Sequence, residues 1–309
     1  MRVVVTGGAG FVGYHLCRKL LEAGHDVFVI DNFSYGKREH VDPAATLWKT
    51  DLGTAPIDEI EARLADFAPD CVAHLCAIHF IPYCIDHPDE AMSANVASTH
   101  RLVEALRSRP VRRLVFTSTM DVYAAVDRVH ETTHAPNPSN IYGLTKHLSE
   151  QLIEYAVTVG AAERATAFRL SNVYGTHETN PHVIPDVVKR ISQKDEAQLA
   201  MGYLGATRDF VYVGDVAEAI YRALTCDDGP AYQALNLGSG VATPVRDVVA
   251  RIARALGDDR PIVEDQKKFR KFDRPSLTPD MAATEAALGW RPSTTLDEGL
   301  ARVIDHEKT

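Results

Sequence analysis

Tyr142 and Lys146 lie four residues apart in the stretch NIYGLTK, residues 140–146, and a helical pattern runs on through HLSEQLIEYA. That spacing puts both side chains on one face of a helix. A lysine ammonium beside a phenol favours the phenolate and lowers its pKa. Tyr142 then becomes a usable general base near neutral pH. A second stretch, TSTMDVY at 117–123, puts Met120 and Asp121 directly after a run of hydroxyls. A carboxylate there can move a proton; a thioether cannot. A Tyr-x-x-x-Lys spacing alone also fits an ordinary surface helix, so its meaning depends on what stands beside it.

What stands beside it is a glycine loop. Thr6–Gly13 reads TGGAGFVG, with Gly7, Gly10 and Gly13 in G-x-x-G-x-x-G spacing, just after the apolar run RVVVT. Glycine lets the backbone approach a pyrophosphate, whose charge rests on the N-terminus of the helix that follows. A second apolar run ends at Asp31, the distance expected of an acid that takes the adenosine ribose hydroxyls. That carboxylate repels a 2′-phosphate, so NAD is favoured over NADP. With a dinucleotide in place, Lys146 can also hold the nicotinamide ribose.

These groups need a scaffold, and the first half of the chain supplies one. Short apolar runs at Arg2–Thr6, Asp26–Ile30, Asp70–Leu75 and Arg113–Phe116 read as strands. Between them lie helical patterns at Phe11–Ala23, Asp58–Ala68 and Glu90–Ser108, the first stopped by Gly24. Strand–helix alternation predicts an α/β fold with a doubly wound parallel Rossmann sheet. Beyond about residue 170 the pattern loosens and prolines punctuate it, with helices at Asp215–Leu224 and Pro244–Leu256. The expected division is a dinucleotide-binding part over 1–170, carrying Tyr142 and Lys146, and a smaller C-terminal substrate-binding part over 171–309. Some later segments are expected to return to the first part.

Composition narrows the partners. The 309 residues are 45% hydrophobic and 24% charged, with a formal net charge of −9. An acidic chain without a Lys/Arg block is a poor ligand for nucleic acid or an anionic membrane surface. No stretch approaches the roughly 20 apolar residues that span a bilayer. MRVVVTGGAG turns to glycine too early for a signal peptide. The five cysteines, Cys17, Cys71, Cys76, Cys84 and Cys226, show no CxxC or CxxH spacing. They are expected to be free thiols of a cytoplasmic protein with no metal site.

At this point the sequence resembles a family, the extended short-chain dehydrogenase/reductases that act on nucleotide sugars as NAD-dependent epimerases and dehydratases. The likeness runs through TGGAGFVG, DNFSYGKRE, TDL at 50–52, HLCA at 74–77, the NVAST that begins at Asn95, TSTMDVY and YGLTK. It continues through RLSNVYG at 169–175, RDFVYVGDVAEA at 208–219, NLGSG at 236–240 and LGW at 288–290. The resemblance implies that Gly7, Gly10, Phe11, Val12 and Gly13 line the pyrophosphate of NAD. Asp31 and Asn32 would meet the adenosine ribose, Asp51 and Leu52 the adenine, and Leu75, Ala77 and Asn95 the rest of the cofactor. It implies Tyr142 as base, Lys146 as its partner and Thr119 as the hydroxyl on the sugar's reacting oxygen. Asn172, Arg208 and Arg270 would bind the nucleotide sugar, although RKFD at 270–273 matches the family's Arg-Pro-Gly-Asp pattern only loosely; His182, ahead of a helical pattern, is a further candidate for contacting the nucleotide, with a structural role at the helix start as the alternative. The loop AIHFIPYCI at 77–85 departs from the family, with Ile78, His79 and Phe80 where small or polar residues are common. MGYLGATRDF at 201–210 is more similar to GDP-mannose dehydratases and leaves the base open. The family also implies a homodimer through a four-helix bundle, formed by about 90–108 and 140–159 of each subunit.

The reaction depends on the second step. The family's first step oxidises a sugar hydroxyl, usually at C4, to a bound ketone. A 4-epimerase then needs no further acid or base. A 4,6-dehydratase needs both, because elimination must be assisted at two ends. In sugar dehydratases these groups follow the catalytic threonine, commonly as Asp-Glu. Here the places hold Met120, read as part of the sugar pocket's wall, and Asp121. A 4-epimerase is the first expectation. A dehydratase or decarboxylase using Asp121 is the alternative. A non-catalytic NAD-binding protein is the third reading, and the retained Thr119, Tyr142 and Lys146 argue against it.

Overall fold

Arg2–Thr6, β-branched through its centre and buried along it, is an inner strand of a seven-stranded sheet. In the computed structural model, which describes residues 1–193, 197–268 and 276–308, the sheet is parallel throughout. Its order is Tyr232–Leu237, Ala162–Leu170, Val111–Thr119, Cys71–His74, Arg2–Thr6, Asp26–Asp31, Thr46–Lys49. One face buries Leu16, Cys17 and Leu20 of the Phe11–Glu22 helix with Val216, Ala219 and Ile220 of Val213–Thr225. The other packs Ile60 and Leu64 of Ile57–Phe67, Leu102 and Leu106 of Ser98–Leu106, and Ile153 and Ala156 of Ile141–Thr158. Helices on both faces make the doubly wound α/β arrangement that the alternation predicted.

Three strands of this sheet were not among the expected ones. Thr46–Lys49 is short, and Ala162–Leu170 and Tyr232–Leu237 interleave polar residues with apolar ones. The last of them comes from the later part of the chain and forms the sheet's edge. A separate cluster joins Ile184, Val187 and Ile191 of Val183–Gln193 to Val248 and Ile252 of Val245–Ala255 and Leu300 and Val303 of Leu296–Glu307. No helix among the described residues is long and apolar enough to cross a membrane.

The helical stretch expected over 90–108 begins at Pro88 and is interrupted. Ser93–Ala97 forms a π-turn between Pro88–Met92 and Ser98–Leu106. Such a turn displaces the backbone ladder, and here hydroxyls take up the carbonyl at its centre. Thr99 Oγ1 donates to the Asn95 carbonyl at 2.6 Å, and Ser149 Oγ donates to it at 3.0 Å from the Ile141–Thr158 helix.

Candidate active site

Gly7 has φ +70°, a left-handed conformation, and receives the chain from the first strand into the glycine loop. A Cβ on Gly13 would stand 2.1 Å from the Gly7 carbonyl oxygen, so only glycine lets the helix start this close to the loop. Asp31 fixes the loop from the next strand. Its carboxylate accepts from the Ala9 N–H at 3.0 Å and from the Phe33 N–H at 2.8 Å.

The glycine loop opens on a cavity of about 800 Å³. Its lining includes Gly7, Gly10, Phe11, Val12, Gly13, Asp31, Asn32, Leu75 and Ala77. Thr119, Asp121, Tyr142 and Lys146 line it as well, as do Asn172, His182 and Arg208. Three expected cofactor residues lie outside the lining. Leu52 is buried in the core, and Asp51 accepts from Asn32 Nδ2 at 3.1 Å on the surface. Asn95 is buried behind the site. Its amide accepts from the Ile78 N–H at 2.8 Å and donates to the Ile78 carbonyl and to Thr145 Oγ1. It therefore clamps the start of the 77–85 stretch, expected as a loop but helical over Ile81–Asp86, to the helix that carries Tyr142 and Lys146. Arg270 lies outside the described residues.

Val111–Thr119 delivers Thr119 at the carboxyl end of a central strand, where open α/β sheets place their ligands. Thr119 Oγ1 accepts from the Asp121 N–H at 3.1 Å and caps the short turn that follows. That turn sends alternate side chains to opposite sides. Met120 is fully buried with Val122, Tyr123 and Leu277 and is not in the cavity wall, contrary to its expected place. Asp121 alone of the two reaches the cavity, and its Oδ1 accepts from Asn140 Nδ2 at 3.2 Å. Asn140 also caps the next helix, accepting from the Gly143 N–H at 2.8 Å. Sequence reading passed over Asn140, although an Asn directly ahead of a helical pattern is a legible cap signal.

Tyr142 and Lys146 are both buried on one side of Ile141–Thr158. The expected lowering of the Tyr142 pKa is not what the environment produces. Burial pushes the phenol up, Asp121 pushes it further, and a hydrogen bond with Thr119 opposes both. Lys146 is itself shifted, down to about 8, because burial disfavours its ammonium. Its Nζ sits 4.2 Å from the centre of the Phe116 ring. Desolvation is the largest cause of both shifts.

A stability signature follows from Lys146. Between about 8 and the ordinary 10.5, the unfolded chain holds a proton that the folded chain has released. Folding is therefore penalised fully below about 8, and the penalty fades as pH rises through that window. Lys146→Met is expected to melt at a higher temperature than the unsubstituted protein at pH 7, with the gap closing towards pH 9.5. Parallel melting curves across that range check this, and a gap independent of pH contradicts it.

The doubly wound parallel sheet, with a glycine loop opening its first helix, is a Rossmann fold. Residues 3–238 match the NAD dependent epimerase/dehydratase family, and the chain belongs to it. A UDP-glucose 4-epimerase of Corynebacterium glutamicum is 34% identical over 312 residues, covering 96% of this chain and 92% of that protein. The Thermotoga maritima UDP-glucose 4-epimerase solved with UDP-glucose superposes with a TM-score of 0.92 at 28% identity, covering 100% of this chain and 99% of that one. MoeE5, solved with UDP-glucuronic acid and NAD, gives 0.88 at 27% identity, with the same coverage of 100% and 99%.

Proposed function

We propose that the protein is an NAD-dependent nucleotide-sugar 4-epimerase acting on a UDP-sugar through a transient 4-keto sugar. Its placement of Met120 and Asp121 carries this reading. Only one carboxylate follows Thr119 into the cavity, and Asn140 already engages it. An eliminating enzyme needs two groups there, whereas an epimerase needs neither. The names of the relatives agree with this choice.

The glycine loop, Asp31 and Asn32 hold the dinucleotide, and Lys146 reaches its nicotinamide ribose. NAD, when bound, supplies the hydride acceptor and donor and a positive ring charge. Tyr142 takes the proton from the sugar's C4 hydroxyl and later returns it. Thr119 holds the same oxygen and the Tyr142 hydroxyl, which fixes the angle of transfer. Asn172 and Arg208 hold the diphosphate, which leaves the keto-sugar free to turn over within the cavity.

Homodimerisation belongs to the same reading. Leu144 and Tyr155 of the catalytic helix are 41% and 43% exposed. With Leu148 and Leu152, partly exposed, they form a stripe at helical spacing on its outer side.

The test is incubation with UDP-glucose or UDP-galactose in deuterated water, followed by NMR of the product. Interconversion at C4 with no deuterium at C5 is expected. Deuterium at C5, or loss of the C6 oxygen, identifies the dehydratase alternative instead.

A further inference from the structure

His74 ends the strand Cys71–His74, is fully buried and does not line the cavity. The reaction assigned above makes no use of it, yet both of its ring nitrogens are engaged. Nδ1 lies 2.8 Å from Thr6 Oγ1, and Nε2 lies 2.9 Å from Thr99 Oγ1. Counting donors fixes the tautomer. Thr6 Oγ1 already accepts from the Leu75 N–H at 3.1 Å and from the Cys76 N–H at 3.3 Å. Its own hydrogen is therefore left for His74, and Nδ1 accepts it. The Cys76 thiol, 3.7 Å from the same nitrogen, is a longer and weaker contact. Nε2 then carries the ring hydrogen and donates it to Thr99, whose hydroxyl donates onward to the Asn95 carbonyl at 2.6 Å. Burial, with the Lys146 charge adding to it, pushes the His74 pKa down to about 3, so the ring stays neutral and keeps this polarity.

This run of hydrogen bonds ends on two separate parts of the candidate site. Thr6 leads directly into Gly7, and Leu75 and Cys76, which it holds, line the cavity. The fit there is close, since a Cβ on Gly7 would stand 2.7 Å from the Cys76 nitrogen. At the other end, Asn95 donates from its amide to Thr145 Oγ1 at 2.9 Å, and Thr145 Oγ1 donates to the Tyr142 carbonyl at 2.8 Å. Ser149 Oγ, shared between the Asn95 and Thr145 carbonyls, adds a second tie to the same helix. Thr6, His74, Asn95, Thr99, Thr145 and Ser149 are all at most 1% exposed, so water offers none of them a substitute partner.

We propose that His74 is a positioning residue: through Thr6 on one side and Thr99 and Asn95 on the other, it holds the glycine loop and the backbone of Tyr142 in one register, so that cofactor affinity and turnover both depend on the Thr99 hydroxyl, which lies outside the cavity. The part about turnover rests on the epimerase reading above; the part about cofactor affinity does not. A ring held in one tautomer and tied at both nitrogens cannot slide, and a small misplacement far from the chemistry is costly to group transfer.

The experiment compares Thr99→Val, which keeps shape and removes the hydroxyl, with Thr99→Ser, which keeps the hydroxyl and removes a methyl. Each is measured for NAD affinity by calorimetry and for kcat and KM on UDP-glucose. Thr99→Val is expected to lose about tenfold in kcat and severalfold in NAD affinity, with KM for the sugar nucleotide within about twofold, because the sugar's own contacts remain. Thr99→Ser is expected to stay near the unsubstituted protein in all three. A Thr99→Val protein with unchanged kcat and NAD affinity, or a Thr99→Ser protein as impaired as Thr99→Val, overturns the proposal. Nitrogen NMR of the histidine side chains in the unsubstituted protein tests it without any substitution. It is expected to show His74 protonated at Nε2 alone between about pH 5 and pH 9, and a ring protonated at Nδ1 or titrating in that range overturns the proposal. A protein that epimerises neither UDP-glucose nor UDP-galactose overturns the reaction assigned above, and NAD affinity and the NMR then decide this proposal by themselves.

Discussion

Tyr142→Phe lowers epimerisation by about 10²- to 10⁴-fold, the range carried by one positioned proton-transfer group. The ring packs against Ile78, Cys84 and Ala91, and phenylalanine preserves that packing. What disappears is the hydroxyl, its hydrogen bond with Thr119 and the proton it exchanges. Melting temperature and NAD binding should therefore change little while kcat falls. Steady-state kinetics on a UDP-sugar, paired with thermal melts, give the answer. Turnover near the unsubstituted level would falsify the mechanism. The raised pKa sharpens the expectation. Burial holds the phenol protonated, so Tyr142 must release its own proton before it can take the sugar's, and the positive ring that NAD would supply favours that release.

Arg169→Met should destabilise the fold by about 3–5 kcal/mol, because it strands a buried carboxylate. Arg169 and Glu150 form a two-pronged pair, 3.0 Å from Nε to Oε1 and 2.9 Å from Nη2 to Oε2. Their side chains are 6% and 3% exposed. Arg169 Nη1 also donates to the Tyr123 hydroxyl at 2.8 Å, and that hydroxyl donates to Asn236 Oδ1 at 2.7 Å. The pair spans the elements that carry the proposed catalytic groups. Arg169 lies beside Ser118 in the sheet register, one residue from Thr119. Glu150 is one turn beyond Lys146 on Ile141–Thr158. Activity should fall with stability, since Thr119 and Tyr142 lose a shared brace. Denaturant melts measure the loss, and Arg169→Met with Glu150→Leu should recover part of it because no uncompensated charge remains. A single substitution as stable as the parent would mean the pair contributes nothing.

Much of this was legible from residues alone, and the reasons are local. The glycine loop is a backbone requirement written in residue type, as the Cβ clash at Gly13 shows. Tyr142 and Lys146 follow from helix periodicity, and the helix ends of the first half lie within a few residues of their expected places. The chemistry between elements was less legible. Which of two successive residues after Thr119 faces the cavity depends on the turn's geometry, and that decided the roles of Met120 and Asp121. Asn95 carries a motif of the family, yet its amide is spent on Ile78 and Thr145, three-dimensional neighbours that spacing does not reveal. The Tyr142 shift depends on how dry the site is, which no motif states.

The strand Tyr232–Leu237 has a consequence for biosynthesis. It pairs in parallel with Ala162–Leu170 along six residues, from Tyr232 beside Ala165 to Leu237 beside Leu170. Until residue 237 has left the ribosome, the Ala162–Leu170 strand, which neighbours Thr119, has an open edge. Such an edge is a template for pairing with another chain. The emerging first half is thus an unfinished sheet at risk of joining a neighbour's, and polysome-borne copies are where that risk is greatest. A fragment ending at 170 should carry the same liability permanently, precipitating where the full chain stays dispersed.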